Sequence, residues 1–300
     1  MKIKLTLAQK RALMGVLFAT PLIVGMILLF ILPLIQSLRY SVSSIQLNEG
    51  GFTVVFEGFE NYTSLFTTNP DYPRKLTESI IDMVVNVPII VIFSLFVAVL
   101  LNQKFRGRSF ARAVFFLPVI LTSSAIAGIS IDFFVGSSTM GAMGADTGSG
   151  QESVMKSFEL KRLLLDSGFA PSIVNYLTGA VDRIYDIISA SGVQILIFLA
   201  GLQSISPSLY EASKIEGATG YEIFWKITFP MVSPLILTNV VYSIVDSFSM
   251  SPVNDLIRRA AFSQFDFGLS AAMSWVYFLV VAVVLVVSVG LISRKVFYYD

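Results

Sequence analysis

The chain has 300 residues, of which 55% are hydrophobic and only 14% are charged, and its formal net charge is +1. A soluble domain normally carries about a quarter charged residues, so this composition indicates a membrane protein, and the small net charge gives no sign of a nucleic-acid partner. The chain contains no Cys and no His, which excludes disulfides, thiolate nucleophiles, imidazole bases and Cys/His metal sites.

Six apolar stretches follow one another along the chain. A bilayer core of about 30 Å needs about 20 helical residues, and each stretch comes close to that length. The first stretch is longer than the apolar part of a secretory signal peptide, so we expect it to be retained. We predict an all-α membrane protein with transmembrane helices at about 12–36, 79–101, 113–135, 181–205, 231–250 and 269–292.

The connecting segments differ in length and polarity. Residues 39–77 predict a first external loop, and residues 136–180 predict an external insertion that starts with a flexible run rich in Gly and Ser. Within the insertion, apolar residues at helical spacing in 153–165 predict a short amphipathic helix. Lys and Arg are concentrated in 1–11, in the short 102–112 connection and near the C-terminus, which places both termini and residues 206–230 in the cytoplasm.

The polar stretch 206–230 connects the fourth and fifth spans by a short path. Ser208 with Glu211, and Thr219 with Glu222, each fit a capping box, which predicts two short helices. Gly217 lies between them, where the chain needs a left-handed residue and where any Cβ is expected to obstruct the turn.

The proline at the end of the 206–230 stretch and the small side chains within it carry two further predictions. Pro230 is expected to stop the second short helix and to open the fifth span. A smooth face for the approach of another protein is predicted at Ala212, Ser213, Gly217 and Ala218. The alternative interpretation is an ordinary amphipathic hairpin that lies on the membrane surface.

The same stretch resembles the EAA loop of ABC importer permeases, whose signature is Glu-Ala-Ala, three residues, Gly, nine residues, Ile, one residue and Leu-Pro. The spacing is fully kept, although Ser213 replaces the second Ala and Phe229 replaces Leu. The runs at 101–108, 115–118 and 198–205 look like the carbohydrate branch, which includes the maltose and glycerol-phosphate permeases. The positions that carry the predicted contact with an ATPase are Glu211, Ala212, Ser213, Gly217, Ile227 and Pro230.

This resemblance implies a type I ABC importer permease fold with six transmembrane helices and a cytoplasmic coupling helix. It further implies a non-catalytic subunit of an ATP-driven importer of sugars, with oligosaccharides as the expected substrate class, in a bacterial cell membrane. The implied partners are a second related permease, two ATP-binding subunits and an extracytoplasmic solute-binding protein. No P-loop occurs in the chain, so ATP and Mg²⁺ are expected to bind to the partner ATPase, and the chain itself is expected to hold no cofactor or metal.

A polar stripe in the last two spans predicts the substrate contacts. In the fifth span its members lie three, four and three residues apart, which places them on one helix face. Carboxylates within a membrane usually serve function, and polar groups beside an aromatic ring suit a sugar. The alternative is that these groups bond to neighbouring helices. The predicted contacts are Asn239, Tyr242, Asp246, Ser249, Ser274 and Tyr277, with Ser270 and Trp275 beside them.

Other functions remain open at this point. The transported solute could be an amino acid, a peptide or a phosphate ester. An ion-coupled secondary transporter would need a relay of buried titratable residues and usually an inverted repeat. Asp246 alone would make a poor relay, and the sequence contains no evident repeat. A membrane scaffold without transport activity fits the polar stripe less well.

Overall fold

The computed structural model describes residues 7–48, 51–103, 105–110, 112–114, 171–294 and 296, and most of this backbone is helical. The principal helices are α1 (Leu7–Met26), α2 (Leu32–Ser41), α3 (Glu60–Thr67), α4 (Asp71–Asn102), α5 (Pro171–Ala190), α6 (Gly192–Ser204), α7 (Pro207–Ile215), α8 (Gly220–Ile223), α9 (Phe229–Ser249), α10 (Pro252–Arg258) and α11 (Phe267–Ser293). Wider π-helical turns occupy Ile27–Ile31, Phe224–Thr228 and Arg259–Ser263.

Helices of membrane-spanning length lie where the sequence predicts the first, second, fifth and sixth spans. By length and composition these are Met14–Ser41, Asp71–Asn102, Gly220–Ser263 and Phe267–Ser293. A fifth candidate is the bent pair Leu177–Ala190 and Gly192–Ser204, whose helices meet at 48° near the predicted fourth span. The third predicted span, nearly all of 113–135, and the predicted helix at 153–165 lie outside the described residues.

The predicted external loop at 39–77 contains regular structure, where an irregular loop was expected. Strands β1 (Ser43–Asn48) and β2 (Gly51–Phe56) form an antiparallel hairpin, and α3 follows it. The second spanning helix also begins at Asp71, several residues before the predicted start at 79. Because a carboxylate in the first turn complements the helix dipole, the polar residues from 71 onward extend this helix instead of ending it.

The described residues form two compact units. The first consists of the described parts of Met1–Ile81 and Phe248–Val284, and the second of those of Asp82–Ser247 and Leu285–Asp300. In the first unit, the fully buried Tyr72 of α4 donates its hydroxyl hydrogen to the backbone carbonyl of Met273 in α11, at 2.7 Å. This bond connects two long helices across an apolar interior, where an unpaired hydroxyl would be costly.

The beginning of α11 packs tightly against the hairpin within the first unit. The side-chain amide of Asn61 donates to the backbone carbonyls of Ser41 and Ser43, each at 3.1 Å. A Cβ added at Gly268 would overlap the Ser43 carbonyl oxygen and would lie 3.0 Å from the Asn61 amide nitrogen. The fold therefore requires glycine at 268, because backbone occupies the space that any side chain would need.

In the second unit, α6 and α9 pack against each other in antiparallel orientation. Gln194 Nε2 donates to Ser243 Oγ at 2.9 Å, and Gly201 faces Leu235 so closely that a Cβ would overlap Leu235 Cδ1. From the first contact to the second, the residue number rises along α6 and falls along α9. The two helices therefore run in opposite directions. The glycine permits this close approach, as small residues commonly do between membrane helices.

Candidate functional site

The stretch between α6 and α9 folds into an elbow of two short helices. Its first helix, α7, begins at Pro207 with Ser206 as the N-cap residue, and it ends at Ile215. The predicted capping box of Ser208 and Glu211 is therefore wrong, and Ser208 Oγ instead lies 2.7 Å from Ser206 Oγ. The physical reason is that proline is pre-organised for the first helical position, so the helix starts before the expected cap.

Gly217 ends α7 in a left-handed conformation, with φ +80°. The Ala218 N–H donates to the Ser213 carbonyl at 2.9 Å, and the Gly217 N–H donates to the Lys214 carbonyl at 3.1 Å. These two bonds form a Schellman motif, so the predicted left-handed turn at Gly217 is confirmed. No other atom lies within 4 Å of a Cβ placed there, so backbone conformation and not the expected crowding requires the glycine.

The second short helix, α8, is capped as the sequence predicts. The Thr219 N–H donates to Glu222 Oε2 at 3.0 Å, and the Glu222 N–H donates to Thr219 Oγ1 at 3.4 Å, which completes the capping box. Lys226 Nζ lies 3.6 Å from Glu222 Oε1. This ion pair is largely exposed, so it contributes little to stability.

The helix that starts at Gly220 continues past the residue that was expected to stop it. The π-helical turn at Phe224–Thr228 leads directly into α9, and Pro230 is the second residue of α9. The Phe229 N–H bonds back to the Phe224 carbonyl, so the wider turn keeps the backbone bonded at this point. Pro230 begins the fifth span without ending α8, because a proline disturbs a helix least near the start of a segment.

Two large apolar side chains of the elbow, Ile215 and Tyr221, are strongly exposed, and we refer to them as the apolar tip. Ile215 is 88% exposed and Tyr221 is 74% exposed, while Glu211 and Ala212 are exposed and Ser213 is buried. A groove of about 450 Å³ runs along the elbow within the second unit. Its lining residues are Ser213, Glu216, Gly217, Ala218, Glu222, Ile223, Lys226 and Ile227.

The predicted polar face of the fifth span varies in exposure along α9. Asn239 is fully buried, and neither Nδ2 nor Oδ1 has a hydrogen-bond partner among the described residues. Tyr242 is exposed, and Asp246 is half-buried with no basic side chain at ion-pair distance in the part of the chain that the structure covers. Ser249, at the end of α9, is exposed.

The predicted residues of the sixth span contact other parts of the first unit. Tyr277 is fully buried, its hydroxyl lies 3.4 Å from Ser79 Oγ, and its ring stacks on Phe248 with centroids 4.8 Å apart. Ser274 Oγ donates to the Ser270 carbonyl at 2.9 Å. These contacts match the alternative of bonding within the helix bundle, and a sugar contact at either residue stays a prediction.

Comparisons with known proteins relate the chain to transport permeases. The profile described as "Binding-protein-dependent transport system inner membrane component" matches residues 184–299, which include the elbow. The chain is 28% identical to the probable ABC transporter permease protein YesP of Bacillus subtilis, over 92% of this chain and 89% of that protein. It is 29% identical to the sn-glycerol-3-phosphate transport system permease protein UgpA of Pectobacterium atrosepticum, over 91% of each.

The fold is also that of a solved transporter. A chain of the crystal structure of the bacterial alginate ABC transporter, in complex with an alginate pentasaccharide-bound periplasmic protein, matches with a TM-score of 0.61 and 18% identity. The match covers 95% of this chain and 96% of that chain. The chain is thus similar to ABC transporter permeases along most of its length and shares the fold of one.

Two features of this chain were missed by sequence reasoning. The exposure of Ile215 and Tyr221 could not be told from the sequence, where both residues fit ordinary helical periodicity. Their exposure depends on how the two short helices meet. The buried amide of Gln194 lies in an apolar run of α6, and a lone amide inside a span was a signal that could have identified it.

Proposed function

We propose that the permease is one transmembrane subunit of an ATP-driven sugar importer, with oligosaccharides as its substrate class. The printed names of similar proteins support this substrate. One is the arabinooligosaccharides transport system permease protein AraP of Bacillus subtilis, 28% identical over 78% of this chain and 68% of that protein. The solved alginate transporter, which resembles this chain in fold, likewise has an oligosaccharide-bound periplasmic protein as its partner.

In the proposed assembly, the permease forms half of the translocation pathway and a second related permease forms the other half. Two ATP-binding subunits dock on the cytoplasmic side and hold ATP and Mg²⁺, and a solute-binding protein delivers the sugar from outside. Both termini and residues 206–230 lie in the cytoplasm of a bacterial cell, in agreement with the distribution of Lys and Arg. ATP binding closes the ATPase pair, moves the elbow and shifts the spans between inward-open and outward-open states.

The exposed elbow is the observation that carries this proposal. Ile215 is 88% exposed and Tyr221 is 74% exposed, and charged residues adjoin both of them in the chain. An apolar centre with a polar rim is typical of a protein interface. Because α6 ends at one side of the elbow and α9 begins at the other, a partner that moves the elbow acts on both helices directly.

Ile215→Asp is expected to weaken co-purification of the ATPase about 30-fold, since a buried charge at the centre of an interface costs about 2 kcal/mol or more. Ile215 contacts solvent in the chain alone, so the variant should still insert and fold. The matched control is Ile215→Val, which keeps the apolar surface and should bind as the parent does. Unchanged association of Ile215→Asp, measured by pull-down from membranes, would rule out docking at this tip.

Asp246→Asn is expected to lower uptake of labelled oligosaccharide about tenfold, because a hydrogen bond to a charged group contributes about 1.5–3 kcal/mol. The ATPase should remain bound to this variant, which separates substrate contact from docking. The control is Asp82→Asn, which alters an exposed carboxylate of α4. Equal uptake by Asp246→Asn and the parent would remove Asp246 from the proposed pathway.

Substrate and energy source are tested together in a strain that lacks the gene. Labelled sugars, amino acids, peptides and phosphate esters are offered to cells with and without the permease. Restoration of oligosaccharide uptake alone supports the proposal, whereas restoration of another solute assigns a different substrate. Transport that persists in ATP-free vesicles under a proton gradient would identify an ion-coupled transporter instead.

A further inference from the structure

Three buried polar side chains lie where α6 and α9 meet in the second unit. Gln194 and Asn239 are both fully buried, and Gln194 Nε2 donates to Ser243 Oγ at 2.9 Å. Gln194 Oε1 and both polar side-chain atoms of Asn239 have no partner among the described residues. Ser243 bonds to only one of the two polar atoms of the Gln194 amide. The other atom has no partner among the described residues, whichever way the amide is oriented.

Unpaired polar atoms in an apolar interior are costly, so such a group usually has a partner in some state of the protein. Asn239 precedes Ser243 by four residues and therefore lies on the same face of α9, one turn nearer the elbow. A slide of α6 by one turn, about 5.4 Å, would carry Gln194 from Ser243 to Asn239. Two side-chain amides that meet in this way can form two hydrogen bonds, which would satisfy the atoms that are unpaired here.

The contact between the two helices is suited to such a slide. Gly201 carries no side chain at the closest approach, where it faces Leu235. In the shifted register Gly201 would face Met231, one turn nearer the elbow. One-turn movements of one element past another are an established way for packed interfaces to switch between two states.

The elbow is placed to drive this movement because it joins the end of α6 to the start of α9. A π-helical turn, Phe224–Thr228, leads into α9, and the Tyr210 hydroxyl lies 3.3 Å from Thr228 Oγ1. Isolated π turns inside helices occur frequently at functional sites. A displacement of α7 would therefore also move the beginning of α9.

We propose that Gln194, Asn239 and Ser243 are positioning residues that define two registers of α6 against α9, one for each of two states of the transport cycle. In the register of this structure Gln194 pairs with Ser243, and in the other it pairs with Asn239. The inference rests on the proposed function, since ATP-driven movement of the elbow supplies the change of state.

Because the chain contains no Cys, introduced cysteine pairs can report the register without background. The first reporter is Gly201→Cys with Leu235→Cys, which should crosslink in the register seen here. The second is Gly201→Cys with Met231→Cys and Leu235→Ala, which should crosslink in the shifted register and which removes the side chain that a Cβ at 201 would meet. Both reporters leave the three polar residues unchanged.

The complete complex, with both permeases, the ATPase and the binding protein, is oxidised in membranes without nucleotide and after trapping with ATP and vanadate. We expect the first pair to crosslink in one condition and the second pair in the other. Asn239→Ala should reduce crosslinking of the shifted pair about tenfold and reduce sugar uptake to a similar degree, since it removes one buried hydrogen-bonding partner. Ser243→Ala should have the opposite effect and favour the shifted pair in the condition in which the parent complex crosslinks the first pair.

The matched control is Thr238→Ala, which alters an exposed side chain adjacent to Asn239 on α9. It should leave both crosslinks and uptake unchanged. If the parent complex imports sugar but the same pair crosslinks in both conditions, or Asn239→Ala behaves as the parent does, the two-register inference is overturned while the proposed function stands. The second result would indicate that ordered water satisfies Asn239. A complex that never assembles with an ATPase overturns both.

Discussion

Gly217→Val is expected to reduce ATP-driven sugar uptake to less than about one tenth of the parent's. Gly217 has φ +80°, a conformation that costs an ordinary L-residue about 1–2 kcal/mol and a β-branched residue more. Relief of this strain would break the Schellman bond from the Ala218 N–H to the Ser213 carbonyl and change the angle between α7 and α8. The apolar tip would then no longer fit its partner. Uptake by cells and pull-down of the ATPase should fall together.

Two controls separate backbone strain from the loss of a glycine as such. Gly220→Ala changes another glycine of the elbow, whose φ is not positive and whose Cβ would meet no atom within 4 Å. It should transport normally. Gly217→Asn should retain much of the activity, because asparagine tolerates the left-handed region better than other L-residues. Full uptake by Gly217→Val would show that the elbow does not depend on this turn.

Gly268→Val is expected to destabilise the first unit by about 2–4 kcal/mol, or to prevent its folding, because backbone already occupies the space beside Gly268. Its Cβ would overlap the Ser43 carbonyl oxygen and press on the Asn61 amide. That amide donates to the carbonyls of Ser41 and Ser43, so its displacement would leave buried acceptors without a partner. Thermal unfolding of the detergent-purified permease, and the yield of monodisperse protein, measure the effect.

The matched control is Gly290→Val, in the same helix, where an added Cβ meets no atom within 4 Å. It should unfold at nearly the same temperature as the parent. If the two variants had equal stability, the close contact between α11 and β1 would not contribute to folding as we infer.

Local patterns predicted those features that depend on residues close together in the chain. The capping box of Thr219 and Glu222 and the left-handed Gly217 both involve bonds that span at most five residues, and the structure confirms both. The expectation at Ser208 was wrong for an equally local reason, since Pro207 starts the helix earlier. The hairpin β1–β2 was missed because short strands within a polar segment have little periodicity to distinguish them from a loop.

Contacts between distant residues could not be predicted in this way. The stripe in α9 has helical spacing, but spacing does not tell which of its residues are buried. Asn239 is enclosed by packing, whereas Tyr242, one turn away, is exposed. The bond from Gln194 to Ser243 was not predicted, because the two residues lie 49 positions apart in the chain.

By itself, then, the amino-acid sequence determined that this is a helical membrane protein, that 206–230 turns at a glycine, and that its spacing is that of an ABC importer permease. Hydropathy, backbone conformation and motif spacing are properties of neighbouring residues, so they can be read without a fold. Only the tertiary structure decided that Tyr72 bonds to Met273, that Ile215 is exposed and that Asn239 has no hydrogen-bond partner among the described residues. Burial and pairing depend on which distant helices pack together, and no local pattern contains that information.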